Sequence, residues 1–138
     1  PVDITADRKR FLSLCRMRIF EWMTLILQKR YSDALDFLAD DLAEGELLSD
    51  NEGVPWTEKR LEQIFAAYEH EHGKFRMDAE GRSIANTISY EDEKFLYIEQ
   101  MLQDFEEINN WSICFKVPLL ESKNAAAALL YLEKIGES

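Results

Sequence analysis

The hydrophobic rhythm of the chain changes once, near Gly73, and nothing else in the sequence constrains the fold as strongly. Before that point apolar residues recur at three- and four-residue steps; after it they alternate. The clearest alternation is Trp111–Leu119, where Trp111, Ile113, Phe115, Val117 and Leu119 are separated by Ser112, Cys114, Lys116 and Pro118. A period of two puts one apolar face on a core and the other toward water or a second layer, as in an antiparallel strand.

In the first half, Phe11, Leu14, Cys15, Ile19, Trp22, Met23 and Ile26 predict a long amphipathic helix from Asp7 to about Arg30, with Thr5 or Asp7 as N-cap. A shorter helix is expected after Tyr31, capped by Ser32, carrying Leu35, Leu38 and Leu42, and ending near Gly45. Residues 49–55 are dense in turn formers and acids and read as a loop. Thr57 then caps a third helix to about His70, with Leu61, Ile64, Phe65 and Tyr68 on one side, and Gly73 stops it. In the second half, short strands are expected at Lys74–Met77 and Thr87–Tyr90, joined through the Asp78–Gly81 turn. A tight turn at Glu91–Glu93 leads to Lys94–Asp104, which has Phe95, Tyr97 and Met101 on one face and Leu96, Ile98 and Leu102 on the other, and so reads as a central strand. The chain returns at Asn109-Asn110 into Trp111–Leu119, turns at Ser122–Asn124, and ends in a strand near Ala127–Lys134. Pro118 cannot donate to a ladder and belongs at an edge, a strand end or a bulge.

Helices followed by a meander of long strands imply an α+β domain with N-terminal helices packed on a curved antiparallel sheet. A sheet curled around helices forms a cone whose mouth is a pocket. In this element order the chain resembles the nuclear-transport-factor-2-like superfamily. With 138 residues and 46% hydrophobic content it suits a single domain over 1–138, and its start at Pro1 suggests a piece cut from the C-terminus of a longer chain. Cys15 and Cys114 have neither a metal nor a redox spacing, which points to a reducing compartment and a cytoplasmic protein. No apolar run approaches the roughly 18 residues of a membrane span.

The formal net charge is −11, unevenly spread. Residues 1–30 carry seven basic side chains against three acidic ones, whereas residues 31–58 carry nine acids and no base. Most of the surface would repel a phosphate backbone, so direct nucleic-acid contact is not expected. Only Arg8, Lys9, Arg10, Arg16 and Arg18 oppose that trend; they are the candidate docking or nucleic-acid edge, against the plainer reading of a solvated helix face.

Reactive chemistry is sparse. The five glycines form no phosphate-cradling loop, so the chain has no ATP hydrolysis of its own. In Glu69-His70-Glu71-His72 neighbouring side chains diverge by about 100°, a poor arrangement for a metal, and cationic His at a helix C-terminus is explained by the helix dipole. Asp104 at a strand end, with Tyr68, His72 and Tyr90 near the cone mouth, is the one candidate acid–base group, of the kind that needs apolar walls to raise its pKa. Trp22 and Trp111 complete a candidate pocket, although tryptophans in such positions, Trp56 included, are more often core or loop anchors than ligand-stacking groups. Cys114 lacks the base a nucleophile needs. No catalytic, cofactor-binding or metal-binding residue is assigned, and no cofactor is expected.

The run Gly73–Ser83, then Met101-Leu102-Gln103-Asp104, Asn110-Trp111, Val117-Pro118-Leu119 with Ser122, and the closing Ile135-Gly136 resemble the C-terminal domain of unknown function appended to bacterial superfamily 2 DEAD/DEAH-box helicases. The resemblance covers most of the chain in order, on weak motifs: an Asp-x-x-x-Arg, an Asn-Trp and spaced apolar residues. It implies a non-catalytic accessory domain behind an ATP-driven RNA or DNA unwinding motor, with the rest of that helicase or another protein as partner. Two alternatives stand beside it: a stand-alone cone that binds or isomerises a small apolar ligand, and a structural homodimer.

Overall fold

The computed structural model describes residues 2–138. Asp7 caps the first helix, α1 (Arg8–Leu27), by accepting the Arg10 N–H, and α1 buries Phe11, Cys15, Ile19, Trp22, Met23 and Ile26. These six fall on one side of a 3.6-residue repeat, which is why the helix lies flat on the core. Next come α2 (Tyr31–Ala39) and α3 (Glu58–His72), the latter capped by the Thr57 hydroxyl. A single 3-10 turn at Ile84–Asn86 leads into β1 (Thr87–Glu91), β2 (Phe95–Leu102), β3 (Trp111–Pro118), α4 (Leu119–Ala125) and β4 (Tyr131–Glu137). The strands form one antiparallel sheet in the order β1-β2-β3-β4, with an irregularity between Cys114 and Phe115 where β3 meets β4.

The architecture is therefore α+β, with helices on one face of an antiparallel sheet. Leu96, Ile98 and Leu102 of β2, Ile113, Phe115 and Val117 of β3 and Leu132 of β4 point inward and are buried. Trp22 lies where the layers meet. Its ring packs edge-on to Phe115 of β3, with centroids 5.7 Å apart, and to Phe65 of α3 at 6.4 Å, while its Nε1 donates to the Ala34 carbonyl of α2 at 3.0 Å.

Four segments differ from expectation. Lys74–Met77 is not a strand: its one tie to the sheet is the Arg76 N–H donated to the Gln103 carbonyl, and Phe75 turns into the aromatic core. The expected turn at Ser122–Asn124 lies inside α4, which starts straight after Pro118, where a missing N–H costs a helix nothing. The last strand begins at Tyr131 and not near Ala127, because side chains hold the approach to it: Ser122 Oγ accepts the Leu129 N–H and Asp41 Oδ2 the Leu130 N–H. The second helix also ends at Ala39, well before Gly45.

The two sheet edges are treated differently. The loop before α3 lies along β4, with the Asn51 N–H on the Glu133 carbonyl and Trp56 Nε1 on the Leu132 carbonyl, and Arg60 clamps it through Asp50 at 2.5 Å while stacking on Trp56. Among the described residues no such loop covers β1. Replacing Trp22 with Ala should destabilise the chain by about 3–5 kcal/mol, because a large aromatic and a buried hydrogen bond are lost together; a urea midpoint close to wild type would show that the layers do not depend on it.

Candidate functional site

Of the six candidate pocket residues, the fold brings four together where α3 ends against the turn between β2 and β3. Tyr68 is 1% exposed, with its ring 5.1 Å from the His72 ring and 5.4 Å, edge-on, from Trp111. One helical turn separates Tyr68 from His72, so both project from the same side of α3. Gly73, at φ +72°, then turns the chain away, a conformation glycine adopts without strain.

Asp104, just beyond β2, is also 1% exposed. Its carboxylate organises the turn that follows: Oδ1 accepts the N–H groups of Glu106 and Ile108 at 2.9 and 3.2 Å, and Oδ2 accepts that of Asn109 at 2.9 Å. Desolvation pushes the Asp104 carboxyl up, but these three donors and the His72 charge pull harder, and its pKa lies below the ordinary carboxylate value. Burial first, and then the Asp104 charge, push the Tyr68 phenol well up. The carboxylate stays ionised and the phenol stays protonated. An acid–base residue needs the opposite tuning, a carboxyl raised toward the working pH.

The cluster leaves several buried polar atoms without a hydrogen-bond partner, the Tyr68 hydroxyl, both His72 ring nitrogens, Asn110 Oδ1 and Trp111 Nε1, although His72 Nε2 lies 3.7 Å from the Glu71 carboxylate. Isolated groups of this kind are costly in a protein interior, and ordered water is their usual partner.

The other two pocket candidates lie elsewhere. Trp22 belongs to the central core described above. Tyr90 stands on the outer face of the sheet, 65% exposed, and stacks on Tyr97 with centroids 4.9 Å apart and planes 15° from parallel. The space between helices and sheet is filled by Trp22, Phe65, Phe115 and their neighbours. An open groove of about 200 Å³ lies on the far side of the sheet, lined by Tyr90, Tyr97, Glu99, Cys114 and Lys134 among others. Alternation alone did not reveal it, since the sequence does not say which face the helices cover. Cys15 and Cys114 are both free thiols, and burial pushes each thiol pKa up, that of Cys15 to about 12. Among the described residues no group of three or more His, Cys, Asp or Glu is placed to hold a metal ion.

The five basic residues of the candidate edge divide in two. Arg8 pairs with Glu91 of β1 at 3.0 Å and bonds the Thr5 carbonyl. Arg16 donates to Thr87 Oγ1 at 3.0 Å and to the Arg82 carbonyl at 2.6 Å. On the other side of the helix Arg18 holds Asp41 at 2.5 Å and the Ala128 carbonyl at 2.6 Å, and stacks on Phe37. These three tie α1 to the rest of the fold. Lys9 and Arg10 are exposed and, among the described residues, form no ion pair.

The short motifs noted in the sequence hold turns. Asp78 accepts the Gly81 N–H at 3.0 Å and pairs with Arg76, while the Asp78 carbonyl accepts the Arg82 N–H and Arg82 Nε donates to the Met77 carbonyl. Only glycine fits at 81, because a Cβ there would stand 2.2 Å from the Arg76 carbonyl oxygen. The Asn110 carbonyl accepts the Ser138 N–H and so ties the end of the chain to the start of β3.

A family model described as Domain of unknown function (DUF3516) matches residues 1–135, and the chain belongs to that family. No curated protein and no solved structure matches it.

The Asp104 geometry carries a pH signature. Its folded pKa is depressed, so its stabilising effect is present above the unfolded value of 3.8 and is lost as pH falls through the lower folded value. Asp104→Asn should cost about 1–3 kcal/mol at neutral pH and flatten the acid limb of the stability curve. Unchanged acid unfolding in the variant would mean that the carboxylate does not hold the turn.

Proposed function

We propose that the chain is a non-catalytic accessory domain of a bacterial ATP-dependent RNA or DNA helicase, working in the cytoplasm and docking on the motor or on another protein. The observation that carries the non-catalytic part is the employment of Asp104. The one buried acid beside the aromatic cluster is ionised and spends three of its lone pairs on the amides of its own turn, which leaves it no proton to give and a pKa lowered away from that of a working base. The helicase part rests on the residues quoted from Gly73 to Gly136, and a helix-covered sheet accords with a nuclear-transport-factor-2-like plan. Reduced thiols at Cys15 and Cys114 suit a cytoplasmic setting.

Within this reading the docking residues are Lys9 and Arg10, free on the solvent side of α1, and not Arg16 or Arg18, whose charges serve the fold. Small-ligand catalysis is less favoured, because the filled core leaves no apolar chamber between the helices and the sheet.

The coding sequence upstream of Pro1 provides the first test: a phosphate-binding loop and an acidic metal-binding box are expected there, and a complete reading frame without them removes the proposal. In the full-length protein, Lys9→Glu with Arg10→Glu should leave the thermal midpoint in place while slowing association with the partner and flattening its salt dependence. Unaltered association kinetics would separate these two residues from docking.

A further inference from the structure

One edge of the sheet, β1, pairs only with β2. Every other residue of β1 directs its N–H and C=O away from β2. The Thr87 N–H is taken by the Ile84 carbonyl of the preceding 3-10 turn; among the described residues the other outward groups, those of Ser89 and Glu91 and the Thr87 carbonyl, have no partner from another segment of backbone. Edge strands are ordinarily protected by shortness, charged side chains, a proline, a bulge or a covering loop, and of these β1 has only its five-residue length and the inward Glu91, whose charge is paired with Arg8. Here β1 reads Thr-Ile-Ser-Tyr-Glu, its pairing with β2 runs without a register shift, and the covering loop lies on the opposite edge, along β4. The strand also exposes Ile88 and Tyr90 at 61% and 65%, on one face, with Ile84 at 60% just before it. Leaving large apolar side chains on an unpaired edge is a liability unless something covers them.

We infer that β1 pairs antiparallel with β1 of a second copy of this chain, across a two-fold axis at Ser89, joining two four-stranded sheets into one of eight. The assignment of the occupant rests on how this register matches itself. Ile88 falls opposite Tyr90 of the second copy and Tyr90 opposite its Ile88, a β-branched and aromatic pair of the kind that stabilises cross-strand contacts. Ser89 meets Ser89, and no charge meets its like. On the inner face Thr87 falls opposite Glu91 of the second copy. In each chain Thr87 is held by Arg16 at 3.0 Å and Glu91 by Arg8 at 3.0 Å. Each Glu91 then sits between its own Arg8 and Arg16 of the other copy, so the edge is electrostatically complementary although the chain as a whole carries −11. A different protein strand would need to reproduce both the apolar pairs and the placed carboxylate; a second copy supplies them by symmetry. With only a five-residue strand at its centre the contact is small, and the dimer is a reversible, concentration-dependent one.

Sedimentation of the 138-residue chain from low to high micromolar concentration, at low salt and again at high salt, tests this. A rise from the monomer mass toward twice that mass is expected, weakened by salt. Ile88→Lys, at an exposed position, should keep the circular dichroism and thermal midpoint of the parent and lose the dimer. In a Cys114→Ser background, Ser89→Cys should form a covalent dimer under mild oxidation, because directly paired residues of antiparallel strands lie about 4.5–5.5 Å apart at Cα, within disulfide reach; Glu62→Cys on α3 should not. A chain that stays monomeric throughout, an Ile88→Lys variant that dimerises as tightly as the parent, or a dimer in which Ser89→Cys fails to cross-link each overturns the assignment.

Discussion

The fold depends on one indole. Trp22 is the residue through which α1 touches α2, α3 and the sheet together, by a hydrogen bond to Ala34 and edge-on contacts with Phe65 and Phe115. From Phe65 the aromatic contacts continue to Phe75, then Tyr68, then Trp111. The end of α3 and the start of β3 are positioned by that chain of rings, and with them the buried polar cluster around His72. Aromatic pairs of this kind add about 0.5–1.5 kcal/mol each beyond the area they bury, so the chain of rings acts as a structural spine as well as a filling.

Charge plays a more local part than its total suggests. An acidic protein that places arginines on its first helix invites a reading in terms of nucleic acid, yet Arg8, Arg16 and Arg18 reach in different directions and each closes a gap between α1 and another element. Arg18 is the clearest case: its partner Asp41 is 9% exposed and also accepts the Leu130 N–H, so one carboxylate connects α1, the end of α2 and the approach to β4. Partly buried pairs like this one are expensive to break because the remaining charge is left stranded. Of the basic side chains on the candidate edge of α1, Lys9 and Arg10 are exposed and, among the described residues, form no ion pair.

The short motifs behind the family resemblance serve as structural joints. Asp78 and Arg82 lock a turn that admits only glycine at 81, and Asn110 fastens the C-terminus. Residues that hold turns identify a fold more than a chemistry. The proposed binding surfaces lie elsewhere, on the solvent side of α1 and along the open edge of the sheet, where sequence patterns are loose.

Element type was legible in the sequence wherever local physics decided it. The long helices α1 and α3 follow from 3.6-residue periodicity with Asp7 and Thr57 as caps, whereas α2 starts at Tyr31 with its expected cap Ser32 inside it, and β2 and β3 follow from alternation. Short segments were not legible: Lys74–Met77 alternates like a strand but finds only one backbone partner, and α4 is seven residues that a turn would explain equally well. The candidate cluster was half legible. Tyr68 and His72 share a helix face by spacing, and Asp104 and Trp111 flank one turn. Tyr90 and Trp22 were sent elsewhere by the register of β1 on β2 and by the depth of the core. By itself the sequence determined the order of the main helices and strands and the apolar stripe of each long helix, because periodicity and capping act within a few residues. Only the tertiary structure decided that Asp104 is spent on its own turn, that three arginines are internal ties and that one sheet edge is left open, because each of these depends on partners distant in the chain.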